Sequence, residues 1–165
     1  MIDFFDVSLI LSTLLCSLVA GFLFSYAIVV MPGIRNLDDR NFIKAFQVTD
    51  RIIQDNHPLF LFVWLGSAVA LIACTFDGFD KLHGLDFVIL LLAAVGYIMG
   101  VQLPTIFFHL PLNNKLQKID LDNVSDDNVK VARLEFEQPW NRSNEIRTAM
   151  AVGVSLLLML VALRQ

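Results

Sequence analysis

Four long apolar runs without a formal charge constrain the fold of this chain more than any other feature of its sequence. A helix that spans a bilayer needs about 20 mainly apolar residues. Three of the runs approach or exceed that length, and the fourth reaches it only if its helix begins earlier, near Trp140. The sequence therefore predicts an all-α integral membrane four-helix bundle that forms a single domain over residues 1–165. The predicted spans cover about 7–31, 58–76, 86–108 and 142–163.

The composition agrees with a chain that is embedded in a membrane. Hydrophobic residues make up 56% of the chain and charged residues 17%, whereas a soluble domain carries about 25% charge. The acidic and basic residues are interleaved between the apolar runs, so no nucleic-acid partner is predicted. Cys16 and Cys74 lie inside apolar runs and are expected to pack as small apolar side chains. No Cys or His spacing is typical of a metal site, so neither a metal nor another cofactor is predicted.

The positions of lysine and arginine predict the orientation of the bundle. Segments 32–57 and 109–147 hold ten of the twelve Lys and Arg residues. Short loops that are rich in Lys and Arg remain on the cytoplasmic side of the membrane. We therefore expect a cell inner membrane protein with both long loops in the cytoplasm and both termini outside. The lipid bilayer is the expected partner, and the sequence leaves the oligomeric state open.

The first long loop has the pattern of an amphipathic helix over about 41–54. Its apolar residues fall on one arc when the chain is wound at 100° per residue, as in a helix that lies on a membrane or over the end of a bundle. Asp38 or Asn36 is placed to cap the start of this helix, and Pro58 suits the first turn of the next span. The apolar residues of the arc are Phe42, Ile43, Phe46 and Ile53.

Three prolines and a serine are expected to mark further ends and starts of helices. Pro32 is expected to end the first span and Pro111 the third, because proline lacks the backbone N–H that continues a helix. Ser125 is expected to begin an amphipathic helix in the second loop. Pro139 is expected to interrupt that helix, with a restart at Trp140.

Polar residues converge on one end of the predicted bundle. Trp140, Asn144 and Arg147 are spaced i, i+4 and i+7, which places an indole, an amide and a guanidinium on one stripe of a helix. Each residue also has a simpler interpretation, since Arg147 can snorkel to headgroups and Trp140 can anchor at the interface. The convergence nevertheless predicts a pocket. The third span adds Gln102, Thr105, His109, Asn113 and Asn114 at the same end.

Three segments of the chain match a known family pattern in the expected order. With four spans and two long loops on one side, the chain resembles the anthrone oxygenase-like family of small membrane proteins. Within these segments, Asn113 matches a family asparagine, whereas His109 replaces one. The segments are GFLFSYAIVVMPGIRNLDDRNFIKAFQ (21–47), HLPLNNKL (109–116) and WNRSNEIRTA (140–149).

The resemblance implies an oxygen-dependent oxidoreductase that requires no metal. Characterised relatives oxidise anthrones to anthraquinones, and the enolate of such a substrate can give an electron to oxygen directly. The protein then has to supply a dry pocket, a cation near the oxyanion and a base. An aromatic polyketide-like or other hydrophobic small molecule is the implied ligand. The implied catalytic residues are Arg147, Asn144 and His109, and the implied substrate-binding residues are Trp140, Asn113, Asn114, Gln47 and Gln102.

A second interpretation is a non-catalytic membrane module that binds a lipid-like ligand or a protein partner. The sequence has no nucleophile–base pair and no cofactor motif, which favours this alternative. The same polar cluster would then hold a headgroup or fix the loops to the bundle. The sequence therefore leaves open whether the protein is an enzyme.

Overall fold

The computed structural model describes residues 3–165, which form five helices and no β-strand. Four of the helices are long and apolar enough to cross a membrane. The fifth, α2, is the helix predicted in the first long loop. This arrangement confirms the integral membrane four-helix bundle. The helices are α1 (Phe4–Ile34), α2 (Asp39–Gln54), α3 (Pro58–Lys81), α4 (Leu85–Gln117) and α5 (Asp126–Leu163).

The four long helices pack side by side around an apolar core. Helix α1 packs against α3 and α5, and α4 packs against α5 and α3. Cys16 and Cys74 are free and fully buried in this core, as the sequence predicted. The two long connections lie at the same end of the bundle, here called the loop end. Which side of the membrane the loop end faces stays a prediction.

Helix α2 lies across the loop end and closes it. The side chain of Asp38 accepts a hydrogen bond from the backbone N–H of Asn41 at 3.0 Å, and this bond holds the pKa of the Asp38 carboxyl below its usual value. One face of α2 is buried against the loop-end part of α5, where Phe46 and Phe136 meet edge to face at 4.6 Å between ring centroids. The second loop contributes its amphipathic segments as the loop-end turns of α4 and α5.

Arg133 and Arg40 attach the first loop to the second. Arg133 donates hydrogen bonds to the carbonyl oxygens of Arg35 and Leu37, each at 2.8 Å. Arg40 donates to the carbonyl of Val124 at 2.9 Å. These bonds join α5 to the connection that precedes α2, and α2 to the connection that precedes α5, so they fix the position of α2 relative to α5.

Proline does not end the third span, and the prediction for Pro111 was wrong. Helix α4 continues to Gln117. A π-helical turn, Thr105–His109, ends two residues before Pro111. The π turn is wider than an α turn, so it accommodates a proline ring that would otherwise collide with the preceding turn. The turns Tyr26–Val30 and Ile98–Gln102 likewise end two residues before a proline, Pro32 and Pro104 respectively.

The predicted break at Pro139 was also wrong. Helix α5 runs without interruption from Asp126 to Leu163 with Pro139 inside it. An interior proline costs about 3 kcal/mol in a helix. Phe136 and Trp140, on either side of it, are 2% and 4% exposed. Only a continuous helix buries both rings on one face, and burial of large apolar side chains offsets a cost of this size.

Gly100 is a point of close approach between α4 and α5. A Cβ atom at this position would lie 2.8 Å from Cε and 3.0 Å from Cγ of Met150. Gly153, on α5, has nothing within 4 Å of its Cβ position. The two glycines therefore form a matched pair of helical positions. A Cβ atom would be crowded at Gly100 and free of contacts at Gly153.

We expect Gly100→Ala to lower the melting temperature relative to Gly153→Ala in the same detergent. Both changes gain the helix preference of alanine, about 1 kcal/mol. Only Gly100→Ala must displace Met150, and overpacking of this kind costs about 1–3 kcal/mol. Thermal unfolding followed by circular dichroism measures the difference. Equal melting temperatures for the two variants would contradict the packing of α4 on α5.

Candidate active site

A cavity of about 410 Å³ lies between the helices at the loop end. Its volume is in the range of small-molecule binding sites, about 300–1,000 Å³. All five helices contribute to its wall. The polar lining residues are Tyr26, Asp50, Gln54, Asn56, Gln102, Thr105, His109, Asn113, Asn114, Trp140, Asn144 and Arg147.

Arg147 is a buried cation without a carboxylate partner. Its side chain donates to Oγ1 of Thr105 and to Oδ1 of Asn144, each at 2.8 Å. Its Nε atom is buried and has no hydrogen-bond partner, and no acidic side chain among residues 3–165 pairs with it. A buried charge is costly unless an opposite charge compensates it. The arrangement therefore suits a ligand that brings negative charge to this wall.

Asn144 and Gln102 join this wall to the neighbouring helices. Asn144 is fully buried and donates to the carbonyl of Leu23 at 3.2 Å, while its Oδ1 holds Arg147. Gln102 donates to the carbonyl of Trp64 at 3.3 Å. Both amides therefore orient the wall, and Asn144 fixes the direction of the guanidinium.

His109 is buried beside the same wall. Its Nε2 atom lies 2.8 Å from Oγ of Ser143, and its Nδ1 atom has no partner among the described residues. The imidazole meets the indole of Trp140 edge to face, with 5.1 Å between ring centroids. A neutral imidazole has one nitrogen that accepts a proton, so His109 is a candidate base.

A second cluster of polar side chains at the cavity is centred on Asp50, which is 1% exposed. Oδ1 of Asp50 accepts from Asn113 at 2.8 Å, and Oδ2 accepts from Gln117 at 3.0 Å and from Gln54 at 3.1 Å. Asn113 in turn accepts from the indole Nε1 of Trp140 at 2.9 Å. Asp50 thus sets the orientation of the Asn113 amide, and this amide positions the indole.

Asp50 was missed by the sequence prediction, although a signal for it exists. It lies on the same helical arc as the apolar residues of α2, four positions after Phe46 and seven after Ile43. A carboxylate in the middle of an apolar face is unusual and needs buried partners. The partners come from α4, at a distance in sequence that periodicity does not reveal.

Two of the predicted binding residues have a different environment. Gln47 does not line the cavity, and it donates to the carbonyls of Leu116 and Ile119 at 2.9 and 3.0 Å. It therefore fastens α2 to the end of α4. Asn114 lines the cavity but is exposed. The other six predicted site residues lie together around the cavity.

The π-helical turns supply part of the polar lining. Tyr26, Gln102, Thr105 and His109 all belong to π turns and all line the cavity. A π turn inserts an extra residue and rotates the side chains that follow it. Among residues 3–165, no group of His, Cys, Asp or Glu side chains is placed to hold a metal ion.

We expect Asp50→Ala to destabilise the protein and to shift the emission of Trp140. The change removes the acceptor of the half-buried amides of Gln54 and Asn113, while Gln117 keeps the carbonyl of Gln47 at 2.9 Å. A donor left without an acceptor costs up to about 1–3 kcal/mol when it is buried. Asp55→Ala, at the exposed end of the same helix, is the control. Thermal unfolding and tryptophan fluorescence measure both effects. If the two variants behave alike, Asp50 does not organise this side of the cavity.

The chain matches the family profile described as anthrone oxygenase over residues 50–157. Neither the curated proteins nor the solved structures contain a match to the chain. The matched segment begins at Asp50 and includes α3, α4 and all but the last turns of α5. It covers more than half of the chain and confirms the predicted resemblance. The chain belongs to the anthrone oxygenase family.

Proposed function

We propose that this membrane protein oxidises an anthrone-like aromatic carbon acid with molecular oxygen and gives the corresponding quinone. The observation that carries the proposal is the buried guanidinium of Arg147, which borders a cavity of ligand size and has no carboxylate partner among residues 3–165. An enolate oxygen supplies the missing negative charge. Membership in the anthrone oxygenase family supports the same reaction.

The reaction needs one base and one stabilised oxyanion. Removal of a proton from the methylene carbon of the anthrone gives an enolate, which donates an electron to oxygen. The resulting radical and superoxide combine to a hydroperoxide, and loss of one water molecule leaves the second carbonyl of the quinone. One anthrone and one dioxygen thus become one quinone and one water. The enolate itself is the reductant, so the reaction requires no metal.

Arg147 is the group proposed to stabilise the oxyanion. Thr105 and Asn144 hold two of its nitrogen atoms and so fix the guanidinium before the substrate binds. A fixed donor in a dry site stabilises developing charge better than water does, because it needs no reorganisation. Asn113 and Trp140 also line the cavity and provide an amide and an aromatic ring.

His109 is the proposed base. It lines the cavity, and Ser143 holds its Nε2 atom at 2.8 Å. Because Ser143 is the partner of Nε2, we assign proton transfer to Nδ1. Trp140 packs against the edge of the ring and limits its rotation.

We expect Arg147→Ala to lower the rate of anthrone oxidation about 100- to 1,000-fold, the usual effect of removing an oxyanion donor. Quinone absorbance and oxygen uptake measure the rate. Arg142→Ala, at an exposed arginine on the same helix, is the control and should retain activity. Arg147→Lys keeps the charge and should recover part of the rate. Wild-type activity in a folded Arg147→Ala protein would refute the proposed role.

We expect His109→Gln to lower kcat about 100- to 10,000-fold, the usual contribution of a general base. KM should change little, because the side chain is of similar size and still polar. Ser143→Ala should cause a smaller loss, since it only frees the ring to rotate. Wild-type kcat in a folded His109→Gln protein would assign the base to another residue.

The alternative function is a non-catalytic module that holds an anionic, lipid-like molecule. The same unpaired Arg147 guanidinium favours it, because a phosphate or carboxylate headgroup would also compensate the charge. The two functions differ in oxygen uptake. A protein that binds anthrone or a fatty acid at Arg147, yet consumes no oxygen with any anthrone, would support the alternative.

A further inference from the structure

One wall of the cavity consists of apolar side chains that are also exposed on the outside of the bundle. Leu65 on α3 and Ile106 and Leu110 on α4 all line the cavity. Their exposed fractions are 59%, 50% and 38%. A side chain that borders a cavity and is half exposed forms a thin partition. On this side of the bundle, the cavity is therefore separated from the outside by little more than these three side chains.

Helix α3 packs on the Leu85–Tyr97 part of α4, whereas its packing on Thr105–Gln117, towards the loop end, is sparse. Deep in the bundle, Ser67 and Tyr97 share a hydrogen bond of 2.6 Å. Nearer the loop end, Gln102 donates to the carbonyl of Trp64 at 3.3 Å. Beyond it, within the described chain, no hydrogen bond and no aromatic pair joins residues 58–63 to residues 103–117. The thin partition thus fills a gap between two helices.

The gap lies at a level where lipid, and not water, surrounds the protein. Leu65 and Ile106 belong to apolar runs without a charged residue, and both runs are in helices that can cross a membrane. The neighbouring Phe107 and Val69 are 74% and 66% exposed, as expected for side chains that face acyl chains. On the loop side, Phe46 and Asp50 of α2 cover the cavity.

We infer that the cavity opens sideways into the bilayer between α3 and α4, and that its ligand arrives through this gap from the membrane. The opening admits a compound that dissolves in acyl chains and carries one oxygen able to meet Arg147. It excludes hydrophilic anions, which do not partition into hydrocarbon. The chemistry of the ligand rests on the proposed function, whereas the opening rests only on the position of these side chains.

The protein contains its own reporter for this opening. Its two tryptophans, Trp64 and Trp140, both line the cavity. Their exposed fractions are only 9% and 4%, so the outer surface gives acyl chains little access to them. Intrinsic fluorescence therefore reports which molecules reach the cavity, without an added label.

The test uses the full chain in vesicles of phosphatidylcholine with and without bromine atoms on the acyl chains. Brominated acyl chains should quench the tryptophan emission, and aqueous iodide should not. Ile106→Cys is then modified with N-cyclohexylmaleimide to block the gap, and Phe107→Cys modified in the same way is the control. The native Cys16 and Cys74 are fully buried, and mass spectrometry verifies that a single site has reacted.

Blocking position 106 should remove most of the quenching by brominated lipid, and the same group at position 107 should remove none. Equal effects at the two positions, or quenching by iodide in place of brominated lipid, would overturn the inference. Circular dichroism of the modified proteins verifies that the bundle is intact. A wild-type protein that shows this quenching pattern but oxidises no anthrone would refute the proposed function and leave the opening in place.

Discussion

The structure depends on one constraint of the bilayer, which is that every backbone polar group in hydrocarbon needs a partner within the protein. Long helices meet this requirement, but three of them contain prolines beyond the first turn, where proline removes a backbone donor. In α1 and α4 a π-helical turn precedes each proline, at Tyr26–Val30, Ile98–Gln102 and Thr105–His109. These turns keep the helix continuous. They also rotate Tyr26, Gln102, Thr105 and His109 towards one cavity. The accommodation of proline and the construction of the site are thus the same feature of the fold.

Burying polar and charged side chains in an apolar bundle costs free energy unless they find partners. Asp50 and Arg147 differ in how far the protein provides these partners. The Asp50 carboxylate is surrounded by three amide donors and is fully satisfied. Arg147 has two neutral acceptors and a buried Nε without a partner. Both oxygens of Asp50 therefore have hydrogen-bond partners within the protein, whereas the guanidinium of Arg147 keeps one buried N–H without a partner. A ligand with a negative oxygen would supply both the missing partner and the opposite charge for Arg147. We therefore assign the chemistry to the Arg147 wall and a positioning role to Asp50.

Much of the fold follows from the sequence, because apolar runs and helix caps are local signals. The four spans, the cap at Asp38 and the stripe of Trp140, Asn144 and Arg147 depend only on helical spacing. Pro111 and Pro139 were misread, since a proline ends a helix by default and only the surrounding packing shows that it does not. Asp50 was missed because its partners, Asn113 and Gln117, lie on another helix. Gln47 was assigned to the ligand, whereas its position against the carbonyls of α4 becomes visible only in three dimensions.

The central claim is that the cavity stabilises the enolate of an anthrone at Arg147. The most direct measurement is the absorbance spectrum of anthrone bound to the purified protein at neutral pH in the absence of oxygen. Without oxygen the reaction stops after the proton has been removed, so the bound species accumulates. The account predicts the long-wavelength band of the ionised anthrone, and its disappearance in Arg147→Ala. Anthrone bound in its neutral keto form by the wild-type protein would contradict the account.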